Sequence, residues 1–293
     1  MLFRSIVRHF NNAIVDNSGF EIALGHRYHI GKVAYYINGN LSFNHNKIVY
    51  YPESLSTPAW QKITGTSVGG FYNSPYSFYP SGPYVGYRSQ GLYQTTQEVT
   101  SGPTPLFPTA APGDIKYADQ DKDGAITAND RVVIGNKFFP AIQYGVRFGA
   151  SFKGIECNVL LQGTANVRGY NQAAQYNSVP GETWMLGRWT PQHTNASFPR
   201  LWIDNQENAQ TSEYWVVNNA FMRLKNLELA YSFPRKLLNR TLKGIRLSLS
   251  GNNLLTFSKF KWYDPESMNI SSSTGDLGNP LMKSFTAGAT LQL

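Results

Sequence analysis

The feature that most constrains this chain is period-two alternation of apolar and polar residues, sustained far longer than in ordinary strands. In "FEIALGHRYHI", Phe20, Ile22, Leu24, Tyr28 and Ile30 point one way, and Glu21, Ala23, Gly25, Arg27 and His29 the other. After Gly31-Lys32 the pattern resumes in "VAYYINGNLSFNHN", where Val33, Tyr35, Ile37, Leu41 and Phe43 share a face. It returns in "IQYGVRFGASF" and, past Lys153-Gly154, in "IECNVLLQG". A third unit runs from Trp215 to Phe233 and then through "IRLSLSGNNLLTF", and the chain closes on "SFTAGATLQL". Alternation at this period is the mark of a strand with two unlike faces. The apolar parity slips between Leu224 and Leu227, which predicts a bulge near Lys225-Asn226.

Most of these strands reach about ten residues, against a usual five or six in globular proteins. A tilted strand of roughly that length crosses a hydrocarbon core. Outside the bulge region, the apolar faces quoted above carry no Asp, Glu, Lys or Arg. No run of about 18 apolar residues occurs, so no helix can span a membrane; a membrane barrel never shows such a run. The expected fold is therefore all-β and antiparallel, with the greasy face turned either to lipid or to a second layer in a soluble sandwich.

The connections favour lipid. They are short at Gly31-Lys32, long from about 46 to 140, short at Lys153-Gly154, long from Gly163 to Tyr214, fairly short from Pro234 to Gly244, and long from Ser258 to Lys283. Outer-membrane barrels pair short periplasmic turns with long extracellular loops. A loop of about 95 residues without structure is foreign to a compact soluble domain. Inside it, "PYVGYRSQGLYQ" reads as an extra strand or hairpin. Counting back from a periplasmic C-terminus puts the start of the first strand outside the cell, the pattern of a C-terminal portion of a larger barrel. Residues 1–16 are not placed by this reading; "MLFRSIVRHFNN" lacks the features of a secretory signal.

The motifs "NSGFEIAL", "GYRSQGLYQ", "PGDIKYADQDKDGAITANDRVVIGN", "GRWTPQHTNASFPRL", "FMRLKNLELAYSFP" and "LSLSGNNLLTFSKFKWYDPE" occur in that order. From about Asn17 to Leu293 the chain resembles the C-terminal part of SusC/RagA-type TonB-linked outer-membrane proteins of Bacteroidota. The resemblance implies an antiparallel transmembrane strand set from a 22-stranded barrel in the outer membrane. It further implies active import of oligosaccharides or peptides delivered by a SusD-type lipoprotein, energised by TonB–ExbB–ExbD through an N-terminal plug. Two other readings stay open on the residues: a soluble calcium-binding β protein that recognises glycans, and a passive porin.

Within the first long connection, "DQDKDGAITAND" (119–130) has the spacing of a calcium loop. Asp119, Asp121 and Asp123 fall at positions 1, 3 and 5, Gly124 at the bend, Ala125 at the carbonyl position 7, Thr127 at 9 and Asp130 at 12. A hard cation needs six or more oxygens, and carboxylates so spaced can curl around one Ca2+. Asp at position 12 is shorter than the usual Glu. Pro112-Gly113 upstream argues against an entering helix. The expected role is structural, with the ion standing in for the core that outer loops lack.

Other chemistry is sparse. The net charge is +8, but Lys and Arg are scattered singly, which speaks against nucleic acid. Cys157 sits on an apolar face without a basic neighbour and reads as a small hydrophobe. No acid and base pair with a case for catalysis is present, so no enzyme is expected. Aromatics near strand ends (Tyr28, Tyr35, Phe43, Tyr144, Phe152) suit membrane-interface girdles. Those in long connections, among them Tyr76, Tyr79, Trp184, Trp189 and Trp202, are candidates for contact with substrate or a partner, with packing inside the loops as the alternative.

Overall fold

The computed structural model describes residues 13–68, 84–134, 139–171, 183–201, 206–237, 242–261, 263–266 and 281–292. Seven strands make one sheet: β1 (Ile14–Ile30), β2 (Val33–Tyr50), β3 (Ile142–Phe152), β4 (Ile155–Ala165), β5 (Phe221–Ser232), β6 (Gly244–Ser258) and β7 (Ser284–Gln292). Each pairs antiparallel with its sequence neighbours, so the spatial order equals the chain order. Among the described residues β1 and β7 are edges, each with a single partner.

Register converts the alternation of single strands into faces of the whole sheet. Residues directly opposite one another in an antiparallel ladder share a side. Tyr28, Tyr35, Ala150, Cys157, Leu229, Leu249 and Ala287 form one unbroken row across all seven strands. The next row runs His26, Ile37, Phe148, Val159, Leu227, Gly251 and Phe285. Nothing among the described residues packs on this face: Leu24 is 73% exposed, Leu249 65% and Phe285 78%. A sandwich would have buried these side chains against a second layer. Here the apolar face looks outward, as a surface built for hydrocarbon must.

The opposite face is polar and tied together. Arg246 Nη2 donates to Glu156 Oε2 at 3.0 Å and also to Glu228, linking β4, β5 and β6. Asn226 Nδ2 donates to Asn252 Oδ1 at 2.8 Å, and Asn252 Nδ2 to Ser284 Oγ at 3.1 Å. Tyr36 Oη reaches over β3 to donate to Asn158 Oδ1 at 2.9 Å. It can do so because Gly149 lies beneath it; a Cβ there would fall 2.1 Å from Tyr36 Cε1. Gly149→Val should therefore displace the ring, break the bond to Asn158 and cost about 1–3 kcal/mol by overpacking. Urea unfolding of the lipid-reconstituted protein measures it, and a midpoint equal to wild type would contradict the packing.

The short turns and the bulge follow the sequence reading. Lys153 and Gly154 both take positive φ, 47° and 87°, as a tight hairpin turn of matching twist requires. The register shifts between Leu224 and Asn226 on both sides of β5: toward β4, Lys225 is the extra residue, while toward β6 it faces two residues, Asn253 and Leu254, so the extra one there belongs to β6. Two strands are longer than the alternation suggested. β1 starts at Ile14, inside the stretch left unplaced, and β2 continues to Tyr50. Beyond Phe43 the β1–β2 ribbon leaves β3 behind, and Ile48 instead bonds Thr66 and Gly65 of the following loop. The Trp215–Phe233 segment is also divided: Val216–Asn218 pairs with Arg168–Tyr170, and β5 begins only at Phe221.

Candidate functional site

The long connections contain the buried core of the described structure. Tyr87, Leu92, Ile115, Tyr117, Ile126, Val132, Ile134, Tyr170, Met185, Trp189, Phe198 and Trp215 form one cluster. This corrects the expectation that outer loops lack a core and need an ion in its place. Short ribbons frame it: Tyr84–Tyr87 pairs with Arg131–Ile134, and Ser89–Leu92 with Ile115–Tyr117. The "PYVGYRSQGLYQ" segment thus supplies two extra strands but no hairpin. Only Arg88 separates them, too little chain to reverse direction, so each half pairs elsewhere.

The acidic loop is fastened to this core by Ile126, whose N–H bonds Thr104 O at 2.8 Å while Thr104 N–H bonds Gly124 O at 2.9 Å. Its backbone wraps around its own carboxylates. Asp119 accepts from Lys122 N (2.7 Å) and Gly124 N (2.9 Å), Asp121 from Asp123 N (3.2 Å) and Asp123 from Ala125 N (2.9 Å). Lys122 and Gly124 bend the chain at φ 63° and 87°. Carboxylate oxygens of Asp119, Asp121 and Asp123 come within 4.8 Å of one another, a triad that can hold a metal ion. Partial desolvation, then the charges of Asp130, Asp123 and Asp119, push the Asp121 carboxyl above its ordinary value, against the N–H of Asp123.

Asp130 does not join that triad. It is fully buried, and its oxygens accept from Gln120 N (2.6 Å), Asp121 N (3.3 Å) and Thr127 N (2.7 Å). Thr127 caps the short turn Ala128–Asp130, with Asp130 completing a reciprocal capping box. Trp60 Nε1 and Gln61 Nε2 then bind the Asn129 carbonyl at 2.8 and 2.9 Å, joining the loop to the segment after β2. No helix precedes the loop; the strand Ile115–Tyr117 enters it.

A second polar centre lies deeper in the loop core and was not singled out from sequence. Asp114 is completely buried and accepts from Arg200 Nε and Nη2 (both 2.8 Å), Asn208 Nδ2 (3.0 Å) and Ala111 N (2.9 Å). Asn208 in turn accepts from Ile115 N at 2.8 Å and its carbonyl from Trp215 Nε1 at 3.0 Å. Beside it, Glu207 accepts from Phe107 N at 3.0 Å, and its backbone carbonyl takes the Tyr117 hydroxyl at 2.6 Å. Burial chiefly, with the Asp114 charge adding to it and the Phe107 and Leu106 N–H groups opposing, pushes the Glu207 carboxyl up to about 7.

A carboxyl raised on folding favours the folded state in its protonated form. The contribution of Glu207 is complete below its ordinary value near 4.5 and is lost as pH rises through about 7. The loop core should therefore loosen between those limits, and Glu207→Gln should remove that part of the pH dependence and stabilise the loops at pH 8. Hydrogen exchange of the 107–117 segment across pH 5–8 reads the effect; identical profiles for wild type and variant would contradict it.

A third polar group braces the last connection. Arg223, buried on β5, pairs with Asp264 and, at 3.2 Å, with Glu266; Lys225 also reaches Glu266 at 3.0 Å. Although burial alone would raise it, the Arg223 hydrogen bond with the N–H groups of Glu266 and Leu281 holds the Asp264 carboxyl below its ordinary value.

The aromatic candidates scatter. Trp189 belongs to the loop core, 8% exposed, with its indole N–H on Gln94 Oε1 at 3.3 Å. The backbone of Trp184 lies in the short turn Thr183–Gly187, while its side chain, with Tyr76, Tyr79 and Trp202, lies outside the described residues.

No family model matches the chain. Among characterised proteins it is similar to TonB-dependent receptor P3 of Formosa agariphila, 29% identical over 304 residues, covering 95% of this chain and 29% of the relative. It is also similar to the TonB-dependent receptor SusC of Bacteroides thetaiotaomicron, 21% identical over 292 residues, with 96% of this chain and 27% of that protein covered. The fold matches a chain of the RagAB peptide importer in its open-open state over 96% of this chain and 29% of that chain, with TM-score 0.67 and 22% identity. The closed-closed state gives 0.66 at 21% identity, over 96% of this chain and 30% of that chain. The chain thus spans less than a third of the relatives it matches. TonB-dependent receptors are outer-membrane β-barrel proteins and transporters, not enzymes. An open apolar face, a polar opposite face, long loops on one side and this consistent set of relatives together make the chain similar to part of a TonB-dependent receptor of the SusC/RagA type.

Proposed function

We propose that this chain forms part of a 22-stranded barrel that actively imports oligosaccharides or peptides across the outer membrane, working with a SusD-type surface lipoprotein. The observation that carries the reading is the apolar face, continuous over seven strands and left open for lipid. Its polar counterpart, with Arg246, Glu156, Glu228, Asn226 and Asn252, would line the passage. The folded loops would stand on the cell surface, where the lipoprotein delivers substrate, and TonB–ExbB–ExbD would supply energy through the plug. Accumulation of labelled peptides and oligosaccharides in cells producing the protein tests this. Active import predicts that a protonophore abolishes accumulation. Passage that persists without the proton-motive force means a porin, and recovery of the protein in the aqueous fraction means the soluble glycan-binding reading.

The Asp119, Asp121 and Asp123 triad fits Ca2+, a hard cation that oxygen donors at this spacing favour. The ion would fix the loop leading toward β3. Terbium luminescence should titrate with a single site, displaced by Ca2+, and Asp121→Ala should weaken it by at least tenfold. Thermal unfolding of the loops unchanged by EDTA would contradict a structural ion.

A further inference from the structure

On the apolar face, beside the short turns, the sheet is not smooth. Ile155 of β4, Leu229 and Tyr231 of β5, and Leu247 and Leu249 of β6 wall a groove of about 800 Å3 that runs out to Ala287 on β7. Register explains it: Leu249 stands opposite Ala287 and Leu247 opposite Ala289, so tall side chains rise beside methyl groups. The hydrogen-bonded ladder fixes the strand spacing at about 4.8 Å, so the gap cannot close by moving the strands together.

The turns at this end carry cations. Lys153 lies in the β3–β4 turn, and Arg235, Lys236 and Lys243 in the β5–β6 connection, all exposed. Lys153 Nζ stands 5.2 Å from the Phe152 ring centroid, and Phe152 is on the apolar face, so the ammonium is held on the outward side. Lys243 continues the parity of Leu247 and Leu249, and its N–H bonds Gln292 O at 2.7 Å, which keeps the β6–β7 pairing intact up to it. Among the described side chains, the carboxylates nearest this end, Glu156 and Glu228, lie on the opposite face, and both are engaged by Arg246. An apolar trough thus opens directly beneath outward-facing positive charge.

We propose that this groove binds an anionic phospholipid, with an acyl chain along Leu229, Leu247 and Leu249 and the phosphate held by Lys153 and Lys243. The inference rests on the apolar face meeting lipid. A zwitterionic lipid carries its own cation beside the phosphate and gains less from these lysines. Each lysine near a lipid surface favours an anionic headgroup by roughly fivefold, so the pair sets a preference of about 25-fold.

The test is native mass spectrometry of the complete barrel that contains this chain, extracted from vesicles of equal phosphatidylglycerol and phosphatidylcholine. Wild type should retain phosphatidylglycerol with that preference, and Lys153→Gln with Lys243→Gln should abolish it. Ala287→Trp, which fills the groove without changing charge, should lower retention of the anionic lipid while leaving both lysines in place. Equal retention of the two lipids by wild type overturns the proposal, as does undiminished preference in either variant. Protein that inserts normally but holds both lipids alike contradicts the lipid site alone. Protein that never enters vesicles contradicts the membrane reading along with it.

Discussion

Phe148→Arg should destabilise the membrane-inserted protein by about 2–4 kcal/mol, the cost of a cation on the lipid face near the bilayer midplane. Phe148 sits past the middle of β3, 41% exposed, with Ile37 and Val159 directly opposite on its two sides. A guanidinium there has aliphatic side chains, and no carboxylate, directly opposite it on both sides. Ser250→Arg provides the comparison. Ser250 faces the other way, opposite Glu228 and Thr286, where water and a carboxylate receive the charge, so the change should stay below about 1 kcal/mol. Urea unfolding in vesicles gives both values. In a soluble sandwich the same Phe148→Arg change would bury a charge and also destabilise, so the contrast is informative only in lipid. Equal effects of the two substitutions would remove the distinction between faces.

Asp114→Ala should destabilise the loop core by about 3–5 kcal/mol, the usual consequence of deleting one partner of a buried ion pair. The carboxylate joins its own stretch to Arg200 and Asn208, 86 and 94 residues further along the chain. Without it, the guanidinium of Arg200, the Asn208 amide and the Ala111 N–H lose this shared acceptor together. The seven-stranded sheet shares none of these bonds, so the damage should stop at the loops. Limited proteolysis with peptide mapping should show cleavage within 84–134 and 183–216 at protease levels that leave wild type intact, while β3 to β6 stay protected. Unchanged resistance of the loops would show that the hub is dispensable.

The strands were legible in the sequence because their cause is local: an interface with two unlike sides imposes a period of two on each strand separately. The same holds for the Lys225 bulge, which appears as a break in that period, and for Asp119, Asp121 and Asp123, which approach through a turn of a few residues. β1 and β2 outran the reading where the ribbon leaves its neighbour β3 and no longer has a lipid face to pattern it. The loop core was not legible. Its members come from separated segments, and contacts such as Tyr117 to Glu207 span 90 residues, with no periodicity to announce them. Trp189 looked like a contact candidate for the same reason: an aromatic in a long connection carries no sign of whether its partner is a ligand or the loop itself. Asp130 shows how one spacing can carry a second job, since its oxygens accept from the N–H groups of Gln120 in the acidic loop and of Thr127 at the following turn.

Spin labels placed one at a time along β4 test the central claim most directly, read by collision with oxygen and with a water-soluble nickel complex in lipid vesicles. Oxygen contact should peak at positions 155, 157, 159 and 161, whose side chains share the apolar face, and nickel contact at 156, 158 and 162. Inverted phases, or labels at 157 and 159 shielded from both reagents by a packed second layer, would contradict a strand set whose apolar side meets the bilayer.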